Sequence, residues 1–151
     1  MAKSKKPTAT DAKICIKLYE LRREPELRKA RNFVNFQFQP QNIDDMMKLA
    51  QSIGTQENAW MRQVFSFWEY AASLVNQGIV HRDLFFTWNG EMAFVYAKFK
   101  PYLEEGRKRM NNPNFMAGVE KAINSSPELR KHVEMIRQRF FSQATKGAAA
   151  D

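Results

Sequence analysis

Apolar residues recur along most of the chain at steps of three and four, the spacing that lines one face of an α-helix. The pattern is strongest between Gln56 and Gln77. Advancing by about 100° per residue from Trp60 gathers Val64, Phe67, Trp68, Ala71, Leu74 and Val75 on one side. Arg62, Ser66, Glu69, Ser73, Asn76 and Gln77 fall opposite. Met61, Phe65 and Tyr70 widen the apolar arc well past the ~100° of a surface helix, so this segment is expected at the centre of the fold. Trp60, Val64, Trp68, Ala71 and Val75 should be buried, with Arg62, Glu69 and Ser73 exposed or at the rim.

Shorter stripes lie on either side. Thr10 and Asp11 are the expected caps of a first helix running to about Arg23, with Ile14, Leu18 and Leu21 on one face. Pro25 opens a second helix, striped by Leu27, Ala30 and Val34. Val34, Phe36 and Phe38 then alternate as a strand does. A lone strand has no partner, so this reads as a fraying helix or an extended exit to Pro40. Asn42 caps a third helix, with Ile43, Met46, Met47, Ala50 and Ile53 inward and Gly54 as its stop. From Glu91 to about Met110, Met92, Val95, Phe99, Tyr102, Leu103 and Met110 keep one phase across Pro101, which predicts a single kinked helix. Asn112 and Pro113 open a segment to about Ile123. Ser126 and Pro127 open a last, peripheral helix with Leu129, Val133, Ile136 and Phe140 on its stripe. PELRK occurs at 25–29 and again at 127–131, but the flanks diverge, so it reads as shared helix-start grammar rather than a duplication. The pattern predicts an all-α, single-domain bundle of six to eight helices over 10–144. Flexible tails are expected at 1–9, which is basic, and at 145–151.

Composition narrows the functional classes. Hydrophobic residues at 44% and charged residues at 26% are those of an ordinary globular domain. Cys15 is the sole cysteine, which excludes an intrachain disulfide. No run approaches the ~18 consecutive apolar residues of a membrane span, and the first residues lack the apolar core of a signal peptide. A cytoplasmic location is the resulting expectation. Lys and Arg number 24 against 16 Asp and Glu, a net +8 that suits an anionic partner and equally suits solubility.

One stretch imitates a catalytic motif. Residues 78–90 read GIVHRDLFFTWNG, and His81-Arg82-Asp83 spells the start of a protein-kinase catalytic loop. That loop needs Asn five residues after the Asp, where this chain has Trp88, and none of the other kinase motifs is present. The stretch reads instead as the end of one helix at Gly78 and the start of another near Asp83. His81 and His132 are the only histidines, and neither has metal-ligand spacing. No catalytic, cofactor or metal residue is expected.

Two binding classes stay open. Arg22, Arg23, Arg28, Lys29 and Arg31 crowd one helix junction, and Arg28 and Arg31 with Asn35 form a polar stripe able to follow phosphates. Further basic residues mark the kinked helix (Lys98, Lys100, Arg107, Lys108, Arg109) and the last helix, from Arg130 to Arg139. Phe85, Phe86 and Trp88, close together in a short connection, are the candidate protein interface. The expected function is a non-catalytic interaction or scaffolding module, with an unknown protein partner or a second copy. The alternative is a basic module that binds RNA or DNA weakly and without sequence preference.

The order of segments adds a resemblance. LYELRREPELRKARNFV, then VFSFWEYAASLVNQGIVHRDLF, then a long helix ending in EEGRKR resemble a family of small all-helical bacterial proteins of unknown function. The resemblance runs over roughly residues 14–140. It implies the helical fold and no activity. Members often carry a transmembrane helix ahead of this domain, which this sequence does not show.

Overall fold

A computed structural model describes residues 5–142, which form eight helices and no strand. They are α1 (Ala9–Arg22), α2 (Pro25–Asn32), α3 (Ile43–Gln51), α4 (Gln56–Asn76), α5 (Arg82–Trp88), the two arms α6 (Glu91–Phe99) and α7 (Leu103–Arg109) of one bent helix, α8 (Ala117–Asn124) and α9 (Pro127–Phe140). The tail expected at 145–151 lies outside the described residues, as do residues 1–4 and 143–144.

α4 is the centre, as its wide apolar arc requires. It packs against α2 and α8 and also meets α3, while α9 lies across α6. Val64, Trp68, Ala71, Ala72 and Val75 are buried, and Arg62 and Ser73 are exposed. Trp60 departs from expectation. It is half-buried, tilted against Phe33 with ring centroids 5.6 Å apart.

Helix ends follow capping chemistry more closely than the apolar stripes. Thr8, not Thr10 or Asp11, caps α1: its hydroxyl accepts from the Asp11 amide at 3.2 Å, and the Asp11 carboxylate accepts from the Thr8 amide at 2.7 Å. This reciprocal pair satisfies two amide donors at once. Leu21 is exposed, while Cys15 and Leu18 face inward; burial pushes the Cys15 thiol up. α3 stops at Gln51, so Ile53 falls in the following turn and is 82% exposed. Gly54 then takes φ 93°, a conformation that favours glycine. Asn112 and Pro113 open a turn rather than a helix. Asn111 and Met116 both adopt left-handed φ, at 48° and 55°, and α8 begins only at Ala117.

Phe36 lies in a helical continuation of α2, and Phe38, in extended conformation, begins the expected extended exit to Pro40. α2 continues into a π-turn, Phe33–Gln37, closed by the Phe38 amide donating to the Phe33 carbonyl at 2.8 Å. The cause is in α6. The Lys98 ammonium donates to the carbonyls of Val34 at 2.7 Å, Asn35 at 3.3 Å and Phe38, groups that a helix end leaves unpaired. At Pro101 the long helix tightens into a 3-10 turn, Lys100–Tyr102, because the proline ring has no amide proton to continue the ladder.

Candidate functional site: an aromatic face between two hollows

The basic residues of the first helix junction are divided between structure and solvent. Arg31 is committed to Glu91: its Nε donates to Oε1 at 2.8 Å and its Nη2 to Oε2, while Nη1 donates to the Arg22 carbonyl at 3.2 Å. Asn35, buried, donates to the same Glu91 oxygen at 3.1 Å. Two members of the expected phosphate-following stripe therefore pin α2 to the start of α6. Arg22 is half-buried, and Arg22 and Arg23 each lie 5.6 Å from the Tyr19 ring. Arg28 reaches back to the Arg23 carbonyl at 3.1 Å, and Lys29 pairs with Glu26 at 2.8 Å on the exposed face. Solvent meets Arg23, Arg28 and Lys29 rather than a field of five cations.

The expected aromatic interface also changes. Phe85 is fully buried, edge-on to Phe86 at 5.1 Å, and cannot meet a partner. It faces inward because α5 lies against α1. Phe86 is half-buried, which leaves Trp88 as the exposed member. In the same stretch His81 is the N-cap of α5, its Nδ1 accepting from the Leu84 amide at 3.3 Å. The His81 amide donates to Asp11 Oδ1 at 2.8 Å, so the motif joins α1 to α5. Asp83 is exposed, 3.5 Å from the guanidinium of Arg82. The Thr8 hydroxyl and amide, and then the His81 amide, hold the Asp11 carboxyl below the usual carboxylate range.

What the fold does assemble is an aromatic face from three distant segments. Phe36 of the π-turn, Phe94 of α6 and Phe140 at the end of α9 touch in a chain, the first pair tilted and the second edge-to-face, with centroids 6.3 Å and 5.7 Å apart. Phe141 adds a fourth ring, 5.3 Å from Phe94. Phe36 is 68% and Phe140 57% exposed. Two hollows flank these rings. One, of about 520 Å³, is lined by Arg28, Arg31, Glu91, Phe94, His132 and others. The second, of about 370 Å³, lies at Gln39–Gln41, Lys98, Pro101, Tyr102, Arg137 and Arg139, and shares Phe140 and Phe141.

Sequence patterning missed this face for a definite reason. Phe140 has the phase of the buried stripe of α9 but falls on its last residue, where Phe94 of α6 meets it edge-on and still leaves it exposed. Phe94 lies off the quoted stripe of its helix. The available signal was the recurrence of phenylalanine beside basic residues near both ends of the domain.

Lys98 is the most confined charge at the site, 3% exposed and held by backbone carbonyls. Burial pushes its ammonium down to about 8. Arg137 is fixed nearby, its Nη1 donating to the Ala97 carbonyl at 2.7 Å. Among the described residues, no group of three His, Cys, Asp or Glu side chains is placed to hold a metal ion, and no helix is long and apolar enough to cross a membrane.

Comparison with curated proteins gives no match, and neither does comparison with solved structures. A family model matches residues 7–126, from the approach to α1 through α8, and leaves α9 with its part of the aromatic face beyond the matched region. With most of the helical domain inside that match, the chain belongs to the family described as Domain of unknown function (DUF4760).

Proposed function

We propose that this chain is a non-catalytic protein-interaction module that docks an acidic partner protein on the face formed by Phe36, Phe94 and Phe140. The observation that carries the reading is the exposure of Phe36 and Phe140, large apolar side chains joined through Phe94 into one patch across three segments. Covering a phenylalanine is worth roughly 1.5–3 kcal/mol, so a partner that covers both gains a substantial apolar anchor. The rim decides the kind of partner. Arg28 and His132 border one hollow, and Arg137 and Arg139 the other. Carboxylates beside apolar side chains complement such a rim, whereas a second copy at net +8 would bring like charges together. A cytoplasmic setting accords with the single, buried thiol.

The test is selection of displayed peptides on the immobilised protein, followed by measured affinities. The expected binders combine aromatic or aliphatic residues with Asp or Glu, and lose at least tenfold in affinity to Phe36→Ser/Phe140→Ser with the fold retained. A concentration-dependent dimer abolished by the same pair would assign the face to a second copy. Nucleic-acid binding through Arg22, Arg23, Arg28, Lys29 and Arg31 is the competing reading, supported by the net charge. It requires a steep fall of affinity with salt, a log–log slope of about −0.9 per duplex phosphate contacted. Tight RNA or DNA binding at physiological salt, lost in Arg23→Glu/Arg28→Glu, would replace the proposal.

A further inference from the structure

We propose that the 370 Å³ hollow between residues 39–41, the bend at Pro101 and the end of α9 binds a phosphate group. Lys98, Arg137 and Arg139 line it, and none of the described lining residues is acidic. Several cations elsewhere on the molecule meet carboxylates: Arg31 with Glu91, Lys100 with Glu134, Arg107 with Glu120, and Arg109 with both Asp44 and Glu105. The three cations of this hollow are held by neutral groups instead. Lys98 rests on backbone carbonyls, Arg137 on the Ala97 carbonyl, and Arg139 lies 5.2 Å from the Phe140 ring centroid. Their charge is oriented but not neutralised.

The donors also divide in a way that suits phosphate. Lys98 spends its three N–H groups on carbonyls and so contributes field alone. Arg137 has given Nη1 to Ala97 and keeps its other N–H groups, and Arg139 adds a second guanidinium. Guanidinium forks match phosphate oxygens two at a time, and a phosphate dianion answers three positive charges better than a single carboxylate. The walls are fixed in advance. The Tyr102 hydroxyl donates to the Pro40 carbonyl at 3.1 Å, tying the extended segment to the bend. A phosphate could arrive on a free compound or on a phosphorylated side chain of another protein, and the hollow recognises what the two share. The hollow shares Arg137, Arg139 and Phe140 with the rim of the proposed docking face, but phosphate binding requires no partner protein there.

Calorimetric titration of the full chain with pyrophosphate and with a phosphoserine peptide, at ionic strength held constant with chloride, tests the assignment. One-to-one binding of at least one probe is expected, weakened at least tenfold by Arg137→Gln/Arg139→Gln. Lys100→Gln, which removes a nearby cation already paired with Glu134, should change affinity less than twofold. Arg139→Gln alone serves if loss of the Ala97 contact disturbs folding. Tighter pyrophosphate binding would indicate a free compound as the source, and tighter peptide binding a modified protein. Absence of binding by both probes, or equal weakening by Lys100→Gln and Arg139→Gln, would overturn the proposal.

Discussion

Gly118, the second residue of α8, should respond to an added methyl group with opposite signs in two backgrounds. The Glu69 carboxylate of α4 caps α8 from outside, accepting from the Gly118 amide at 3.1 Å and the Val119 amide at 2.8 Å. A Cβ on Gly118 would stand 2.6 Å from Glu69 Oε2, so the carboxylate must withdraw. Losing a charged cap at a helix N-terminus costs about 1–2 kcal/mol. Replacing a helical glycine by alanine returns roughly 0.5–1 kcal/mol. Gly118→Ala should therefore destabilise the native protein by about 0.5–1 kcal/mol. In a Glu69→Ala background the cap is already gone, and the same substitution should stabilise by about 0.5 kcal/mol. Urea unfolding followed by circular dichroism at constant m-value measures all four corners of this cycle, with an expected coupling of about 1–1.5 kcal/mol. Equal effects of Gly118→Ala in the two backgrounds would refute the cap as the cause.

Further outcomes follow from the same interior. Trp68→Ala, at a fully buried position, should cost about 3–5 kcal/mol in urea unfolding, and a loss below 1 kcal/mol would remove α4 from the centre of the fold. Glu91→Ala strands Arg31 and takes a partner from Asn35 in a largely buried position, so about 2 kcal/mol should be lost, more than for breaking the exposed Lys29–Glu26 pair by Glu26→Ala. Lys98 falls from its ordinary 10.5 to about 8 in the folded chain, so unfolding takes up a proton between those values. Native stability should then rise with pH across that window relative to Lys98→Met, and parallel pH curves for the two proteins would contradict the depressed ammonium.

Local rules carried the reading of this sequence a long way. Helix periodicity, proline at first positions and glycine stops depend on residues within one or two turns of each other, and they marked out α4, the kinked helix at Pro101 and the helix start concealed in HRD. The same locality explains the errors. Whether α1 is capped by Thr8 or Thr10 turns on which hydroxyl reaches an amide three residues on, and several residues there qualify by type. Tertiary structure decided everything that joins distant segments. Arg31 finds Glu91 sixty residues away, which changes an expected ligand-binding cation into a fastening between helices. Lys98 reaches the end of α2 and makes a π-turn of a segment that alternates like a strand. Phe85 and Phe140 have the same side chain, yet one is covered by packing of α5 on α1 and the other projects past the last turn of α9. Periodicity specifies which face of a helix is apolar, but only the crossing of helices determines how far along that face a neighbour extends, and so which rings and charges are left for a partner.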